Sequence, residues 1–282
     1  MPACVSCGRE IPPVPTGELN ICPECRAAIQ ARSPSRNPLP SRRRSVALEN
    51  MPVTTVLIGI NVLVFVLMVA SGVSFTHPEN EQLVKWGANY GHYSLNSQPW
   101  RLLTCTYVHI GILHIALNMW CLWNLGALAE RIFDRWTYVL GYTACGIAGS
   151  IFGLWWHPNV PEAGASGAIF GIAGMLIAAL YLGKLPVHPS AIKSTLRSLL
   201  LFAGYNLFFG QVVPGISNAA HIGGLVTGLG LAAVLAPRLT APPDERNSWR
   251  RLIFIAAGIL LTALFYFVRR TLLHAALTPP GQ

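Results

Sequence analysis

The chain has 282 residues, of which 52% are hydrophobic and only 11% charged, and its mean hydropathy is +0.47. Soluble domains carry about 25% charged residues, so this composition excludes an ordinary soluble protein and indicates a membrane protein with several spans. The net charge of +9 does not indicate nucleic-acid binding, because the basic residues lie in tails and short loops, where membrane topology favours them.

Four of the cysteines form two Cys-x2-Cys pairs near the N-terminus, "CVSC" and "CPEC", with fourteen residues between them. This spacing is typical of a tetrahedral site in which Cys4, Cys7, Cys22 and Cys25 bind a structural Zn²⁺. A unit this small has too little core to fold alone, so the metal would supply the folding energy. A pair of disulfides is the alternative, which a reducing cytoplasm disfavours. A redox role is the other alternative, but the expected βαβ context is missing.

The composition changes after this first unit. Residues 1–28 form a zinc-ribbon-like segment, and residues 29–50 form a basic linker that is rich in Pro, Ser and Arg. Such a stretch cannot bury a core, so we expect it to be flexible.

Seven apolar runs follow, each close to the roughly 20 residues that cross a bilayer as a helix. They are Val53–Ala70, His114–Leu128, Trp136–Trp156, Ala165–Leu182, Leu196–Val213, Ala219–Leu235 and Leu252–Val268. The sequence therefore predicts an all-α polytopic membrane protein, with a structured interfacial loop over residues 71–113. Most Lys and Arg side chains lie on the side of the N-terminal tail, which the positive-inside rule places in the cytoplasm, although Arg269 and Arg270 oppose this.

Polar side chains inside spans are costly, and several occur here at one predicted depth. "HIGILHIALN" places His109, His114 and Asn118 at the outer start of the second span, and the last two share a helix face. "GASGAIFG" places Ser166 at the outer start of the fourth span, and "NAAHIGGLVTG" places His221 at the outer start of the sixth. Because successive spans alternate in direction, these side chains would meet just inside the outer surface.

These residue types indicate acyl-transfer chemistry. A serine hydroxyl needs a base within hydrogen-bond reach, usually His, and the oxyanion needs donors from Asn, His or a helix N-terminus. Gly164 and Gly167 leave space for a substrate backbone, and Gly224 and Gly228 would let the sixth span lie close to the fourth. No acidic residue is placed to complete a triad, so the prediction is a Ser–His dyad without a catalytic cofactor.

Together with "WR" at 100–101, these segments resemble the rhomboid intramembrane serine proteases over about residues 50–237. The resemblance implies a six-helix rhomboid core over residues 51–237, followed over 238–282 by a cytoplasmic loop, a seventh transmembrane helix and a tail. The residues that it implies are the nucleophile Ser166, the base His221, the oxyanion ligands His114 and Asn118, the supporting His109 and Gly164, the structural acid Glu130, and Trp100 and Arg101 in a loop at the membrane surface. Two positions depart from the family pattern: Phe170 replaces a Tyr that stacks on the histidine, and Asp134 replaces a Gly.

The resemblance implies an intramembrane serine endopeptidase that acts on transmembrane protein substrates within the lipid bilayer. We expect an integral protein of the bacterial cytoplasmic membrane, with a cytoplasmic N-terminus, an active site near the outer face and no nucleic-acid partner. The sequence leaves the oligomeric state open. One alternative is a non-catalytic rhomboid-like protein that binds or chaperones membrane proteins. Another is a transporter with a histidine proton path, but that path would need polar residues towards the cytoplasmic side, where the sequence is apolar.

Overall fold

A computed structural model describes residues 2–12, 20–32, 51–213 and 215–277. Over these ranges the chain is helical, with two isolated bridges and no β-strand, so the predicted all-α class is confirmed. The chain divides into two compact units, Met1–Ala47 and Leu48–Gln282. Residues 33–50 of the predicted linker and residues 278–282 of the predicted tail lie outside the described residues.

The N-terminal unit is built around its cysteines. Its first Cys-x2-Cys pair closes a turn in which the Gly8 amide donates to the Cys4 carbonyl over 2.8 Å. Gly8 has φ +77°, a left-handed conformation that glycine adopts without steric cost. The second pair starts helix α1, Pro23–Arg32. An isolated bridge between Ala3 and Glu10 is the one β-type pairing that the described part of this unit contains.

Ten helices of the second unit are described, three of them short. In chain order they are α2 (Pro52–Ala70), α3 (Asn80–Lys85), α4 (Gly91–Ser94), α5 (Arg101–Thr104), α6 (Gly111–Ile132), α7 (Arg135–Trp156), α8 (Ser166–Leu182), α9 (Pro189–Val212), α10 (Asn218–Leu235) and α11 (Pro243–Leu277). Short 3₁₀ turns follow α5 and α10. The three short helices lie in the predicted interfacial loop, which is therefore structured.

The seven long helices occupy the places of the seven predicted spans. Five of them, α2, α6, α7, α10 and α11, are long and apolar enough to cross a membrane. Helix α8 is apolar throughout but has only 17 residues. Helix α9 begins at Pro189, before its apolar run, because His188 caps its first turn and Pro189 is compatible with that turn.

Helix α11 also begins earlier than predicted, which shortens the predicted loop after residue 238 to residues 239–242. Pro243 fits the first helical turn, and Asp244 and Glu245 favour the positive end of the helix dipole there. Two arginines then attach this helix to the core. Arg250 pairs with Asp134 at 2.6 Å, and Arg269 donates to the Leu95 carbonyl at 2.5 Å. The second contact gives a structural use to a basic residue that the topology analysis could not accommodate.

Helix α8 is the centre of the bundle, with α6, α7, α9 and α10 packed around it. Nearly every one of its side chains is buried, as expected of a helix that is apolar on all sides. The start of α2 is held differently, by an acid from the end of α6. Glu130 accepts hydrogen bonds from the Thr54 amide and the Thr54 hydroxyl, both at 2.7 Å. The first of these bonds satisfies a backbone N–H that the first turn of a helix leaves without an intrahelical partner.

Candidate active site

Ser166 is the first residue of α8 and is only partly buried. It follows Gly164, whose amide donates to the Cys105 carbonyl over 2.9 Å and whose φ is +133°. A Cβ at Gly164 would lie 2.6 Å from Cε1 and 2.9 Å from Nε2 of His114. Glycine is therefore required there by conformation and by space, and the His114 ring lies directly over the backbone that leads to Ser166.

The hydrogen bonds of His114 determine which of its nitrogens is a donor. The Ile110 amide donates to His114 Nδ1 over 3.1 Å, so Nδ1 carries no proton. In the neutral ring the proton is then on Nε2, the atom that faces Gly164. His114 therefore presents an N–H donor to the space beside Gly164, two residues before the serine.

Asn118 lies one turn below His114 on the same face of α6 and is buried. Its amide nitrogen donates to the His114 carbonyl over 2.9 Å. This bond uses one of the two amide hydrogens, and the second makes no hydrogen bond within the described part of the chain. Asn118 is therefore held in place while keeping a donor for a ligand.

His109 lies behind His114, with 5.2 Å between the ring centroids, and it is fully buried. Its Nδ1 is 3.3 Å from the Tyr107 carbonyl, which can only accept, so Nδ1 carries the proton. Burial lowers the pKa of His109 to about 3, which keeps the ring neutral at physiological pH. We interpret His109 as a support for His114, because no described contact joins it to Ser166.

His221 lies in the first turn of α10 and stacks on Phe170, one turn into α8, at 4.1 Å between centroids and 9° between ring planes. Phenylalanine thus keeps the stacking surface that the family tyrosine would supply. No hydrogen bond joins Ser166 to His221 in the described structure, and His221 Nδ1 is buried without a partner. Catalytic hydrogen bonds are often long in free enzymes and shorten only when substrate binds.

The serine and histidine helices lie side by side because glycines remove the side chains between them. A Cβ at Gly224 would overlap the carbonyl of Gly167, and a Cβ at Gly228 would overlap the carbonyl of Gly171. The α8–α10 pair also makes the most extensive contact in the bundle. The predicted close approach is therefore present, and it places the first turns of both helices at one level.

Trp100 and Arg101 lie at the start of α5, in the interfacial loop of residues 71–113. Arg101 is buried and donates to the carbonyls of Val84 and Ala88 at 2.6 and 2.9 Å, so it organises the loop, while Trp100 is half exposed.

One residue near the serine was missed by the sequence analysis. Glu162, four residues before Ser166, is turned inwards with both carboxyl oxygens buried. The signal that the sequence offered for Glu162 was its position four residues before Ser166.

The four N-terminal cysteines form a second candidate site, in the other unit. Their sulfur atoms all lie within 4.8 Å of one another, and Cys7 Sγ is 3.7 Å from Cys22 Sγ. A tetrahedron with Zn–S bonds of 2.3 Å has edges of about 3.8 Å, whereas a disulfide requires about 2.05 Å. All four thiols are free. The amides of Cys22 and Cys25 point at sulfur, and the Cys22 amide contributes most to lowering the pKa of Cys4 to about 6. The cluster therefore has the donor set and dimensions of a metal site.

Comparison with known proteins gives matches over the membrane unit. The Rhomboid domain profile matches residues 96–238. The chain is 37% identical over 75% of its length to "Rhomboid protease GluP" of Bacillus subtilis (strain 168), and that match spans 40% of the relative. It is 32% identical over 67% of its length to "RHOMBOID-like protein 7" of Arabidopsis thaliana, spanning 64% of that protein. It is 27% identical over 79% of its length to "Rhomboid protease AarA" of Providencia stuartii, spanning 84% of that protein. The chain thus covers less than two thirds of the first two of these relatives.

Proposed function

Since the chain belongs to the rhomboid family of integral membrane proteins, we propose that it is a serine endopeptidase that cleaves transmembrane substrates near the outer ends of their spans. The observation that carries the proposal is the arrangement around Ser166. The serine begins a buried helix, beside a histidine helix held close by glycines and opposite the Nε2–H of His114. We infer from this arrangement that a hydroxyl, a base and an oxyanion donor act on one substrate carbonyl.

In the proposed reaction, His221 takes the proton of the Ser166 hydroxyl as Oγ attacks the substrate carbonyl. The carbonyl oxygen becomes negative and accepts hydrogen bonds from His114 Nε2, the Asn118 amide and the first N–H groups of α8. His221 then gives its proton to the leaving amine, and an acyl-enzyme remains on Ser166. A water molecule loses a proton to His221 as its oxygen attacks the ester. The bond to Ser166 Oγ then breaks, His221 returns the proton to Oγ, and the second product leaves as a carboxylic acid. Phe170 holds the imidazole plane throughout by stacking.

The orientation in the membrane belongs to the proposal as well. We place the N-terminus in the cytoplasm and the first turns of α8 and α10 towards the outer face of a bacterial cytoplasmic membrane, because Lys and Arg concentrate on the N-terminal side. Hydrolysis needs water, and a site at this depth is reached from the outer surface. Peptide bonds inside a helix are shielded, so substrates with small or helix-breaking residues near that depth should be preferred.

The test is cleavage of a single-span membrane protein by the purified chain in liposomes. We expect one cut near the outer end of the substrate span, located by mass spectrometry of the products. A cut in the middle of the span or at the cytoplasmic end would contradict the orientation. If substrate is bound but left intact by folded protein, the non-catalytic binder would replace the protease.

Replacement of Asn118 by Ala should lower kcat by about 10²–10³-fold, with little change in KM, because an oxyanion donor acts mainly in the transition state. Asn124→Ala is the matched control. Asn124 is exposed on the same helix and makes the same kind of bond, from its amide to the carbonyl four residues earlier. We expect the control to cleave at the wild-type rate. Initial rates over a range of substrate concentrations give kcat and KM for both variants. Equal effects in the two would contradict the assignment of Asn118 to the oxyanion site.

For the N-terminal unit we propose that Cys4, Cys7, Cys22 and Cys25 bind one structural Zn²⁺, separately from the protease core over residues 51–237. The purified chain should contain one zinc per molecule, and Cys22→Ser should lower that content at least severalfold, because a tetrahedral structural site needs all four ligands. Elemental analysis measures this directly. Cys121→Ser, in α6, is the control and should keep its zinc. A full zinc content in Cys22→Ser would contradict the assignment.

A further inference from the structure

Glu162 lies in the loop of residues 157–165, which leads from α7 to Ser166. The backbone of this loop is fixed to the outer loop. Asn89 and Glu162 exchange two backbone hydrogen bonds of 2.8 Å, and the Gly91 amide donates to the Pro158 carbonyl over 2.9 Å. The position of the serine is therefore set by the segment to which Glu162 belongs.

The Glu162 side chain extends from this loop into the protein. Its carboxyl group lies against Gly153 of α7, where an added Cβ would overlap it. The side chains of Asn89 and of Ser217 face it from two further directions. Ser217 is the N-cap of α10, accepting from the Ala220 amide over 3.3 Å. The carboxyl group thus lies between the loop of the proposed nucleophile and the first turn of the helix that carries the proposed base.

Among the described residues, this carboxyl group has no charged partner. Both oxygens are buried, and neither accepts a hydrogen bond within the described residues. The titratable group that faces it is the thiol of Cys105, whose pKa burial raises to about 12, so it is neutral. Gly153, Asn89 and Ser217 carry no charge. No hydrogen bond joins Glu162 to His221 among the described residues, where its oxygens and His221 Nδ1 all lack partners.

Such surroundings suit a neutral carboxyl group and oppose a carboxylate. The neutral form has an O–H that can donate to a neighbouring oxygen, whereas a buried anion is costly and the Ser217 and Asn89 side chains offset only part of that cost. Burial raises the pKa of Glu162 to about 7, against the smaller opposing effect of the Ser217 and Asn89 side chains, which lower it. Near neutral pH a small change in acidity therefore decides whether the carboxyl group is neutral or ionised.

We propose that Glu162 is a positioning residue whose neutral carboxyl group keeps the Ser166 loop packed against the N-terminus of α10, and whose ionisation slows peptide hydrolysis. The inference rests on the proposed function and adds to it a dependence on the acidity of the outer compartment. Ionisation would release the carboxyl group from between Gly153 and Ser217. The serine and histidine would then lose one of the contacts that keep their two helix starts in register.

The experiment compares the 282-residue chain with its Glu162→Gln variant, whose side chain keeps the shape of a neutral carboxyl group and can donate a hydrogen bond but cannot ionise. In liposomes, the ratio of kcat/KM between wild type and Glu162→Gln should fall about tenfold from pH 6 to pH 8, because about nine tenths of the carboxyl is neutral at the first pH and about one tenth at the second. Titration of His221 affects both proteins and cancels in the ratio. A ratio that stays constant with pH would overturn the proposal.

Thermal unfolding tests the buried carboxyl without any need for activity. The two proteins compared are the single variant Ser166→Ala and the double variant that carries both Ser166→Ala and Glu162→Gln. A Glu whose folded pKa is raised contributes stability that is full below its unfolded pKa and is lost as the pH rises through its folded pKa. The melting temperature of the first protein should therefore fall relative to the second between pH 5 and pH 8, and parallel curves would also overturn the proposal. Wild type and Glu162→Gln both keep Ser166. If neither of them cleaves at any pH while the melting curves diverge, the proposed protease function fails, and the pH-dependent burial of the Glu162 carboxyl group is still supported.

Discussion

Replacing Ser166 by Ala should lower cleavage of a single-span substrate by about 10⁴-fold or more, because no other group can form the acyl-enzyme. His221→Ala should have a similar effect, since the hydroxyl is a weak nucleophile without a base. The double variant should be no worse than either single one, because the two side chains act as a unit. Rates in liposomes, followed by the appearance of the shorter product, measure all three.

Loss of activity in Ser166→Ala has to be separated from loss of folding. Ser166 is partly exposed, and its hydroxyl makes no hydrogen bond in the described structure, so the melting temperature should change by no more than a few degrees. Ser97→Ala is the control, because Ser97 is an exposed serine of the interfacial loop, and this variant should be fully active. Residual cleavage by Ser166→Ala above about 1% of wild type would indicate a different nucleophile.

Replacing Gly228 by Val should abolish cleavage and destabilise the protein by at least about 1–3 kcal/mol, the usual cost of overpacking a tight interior. The reason lies in the contact of α8 with α10. A Cβ at Gly228 would overlap the Gly171 carbonyl, which is backbone and cannot rotate away. The helices must therefore separate, and His221 moves away from Ser166 although neither side chain has been altered.

Gly230→Val is the matched control for this prediction. It lies on the same helix, and a Cβ there would meet no atom within 4 Å. Both variants add the same side chain and the same change in helix propensity, so their difference measures the close approach alone. We expect Gly230→Val to keep its melting temperature within a few degrees and its cleavage rate within about twofold. Equal losses in both variants would show that helix α10, rather than its contact with α8, is what valine disturbs.

Much of the fold could be predicted because a bilayer restricts the options. A run of about 20 apolar residues can only span as a helix, so the all-α class and the places of the seven long helices followed from hydropathy. The helix starts of α9 and α11 did not, because their first turns are polar and depend on Pro189 and Pro243 rather than on apolar periodicity. The contact of Arg269 with Leu95 was hidden for another reason: it joins segments that are distant in the sequence.

The candidate site, like the fold, could be predicted from the sequence only in part. The shared depth of Ser166, His221 and His114 follows from the alternating direction of the spans, which the sequence analysis could use. The proton position on His114 depends on a bond from the Ile110 amide that forms only in the folded turn. Glu162 was passed over because its inward direction is set by backbone pairing with Asn89, which no local pattern encodes.

The assignment of Ser166 as nucleophile and His221 as base is tested most directly by covalent labelling. The purified protein is treated with a serine-directed fluorophosphonate in detergent or liposomes, and the labelled residue is found by peptide mapping. We expect a single phosphonylated residue, Ser166, in wild type, and a strongly reduced rate of labelling in His221→Ala, whose serine lacks its base. The measurement does not depend on the choice of a substrate. A folded protein that leaves Ser166 unlabelled, or that carries the label on another serine, would contradict the assignment of Ser166 and His221 as nucleophile and base.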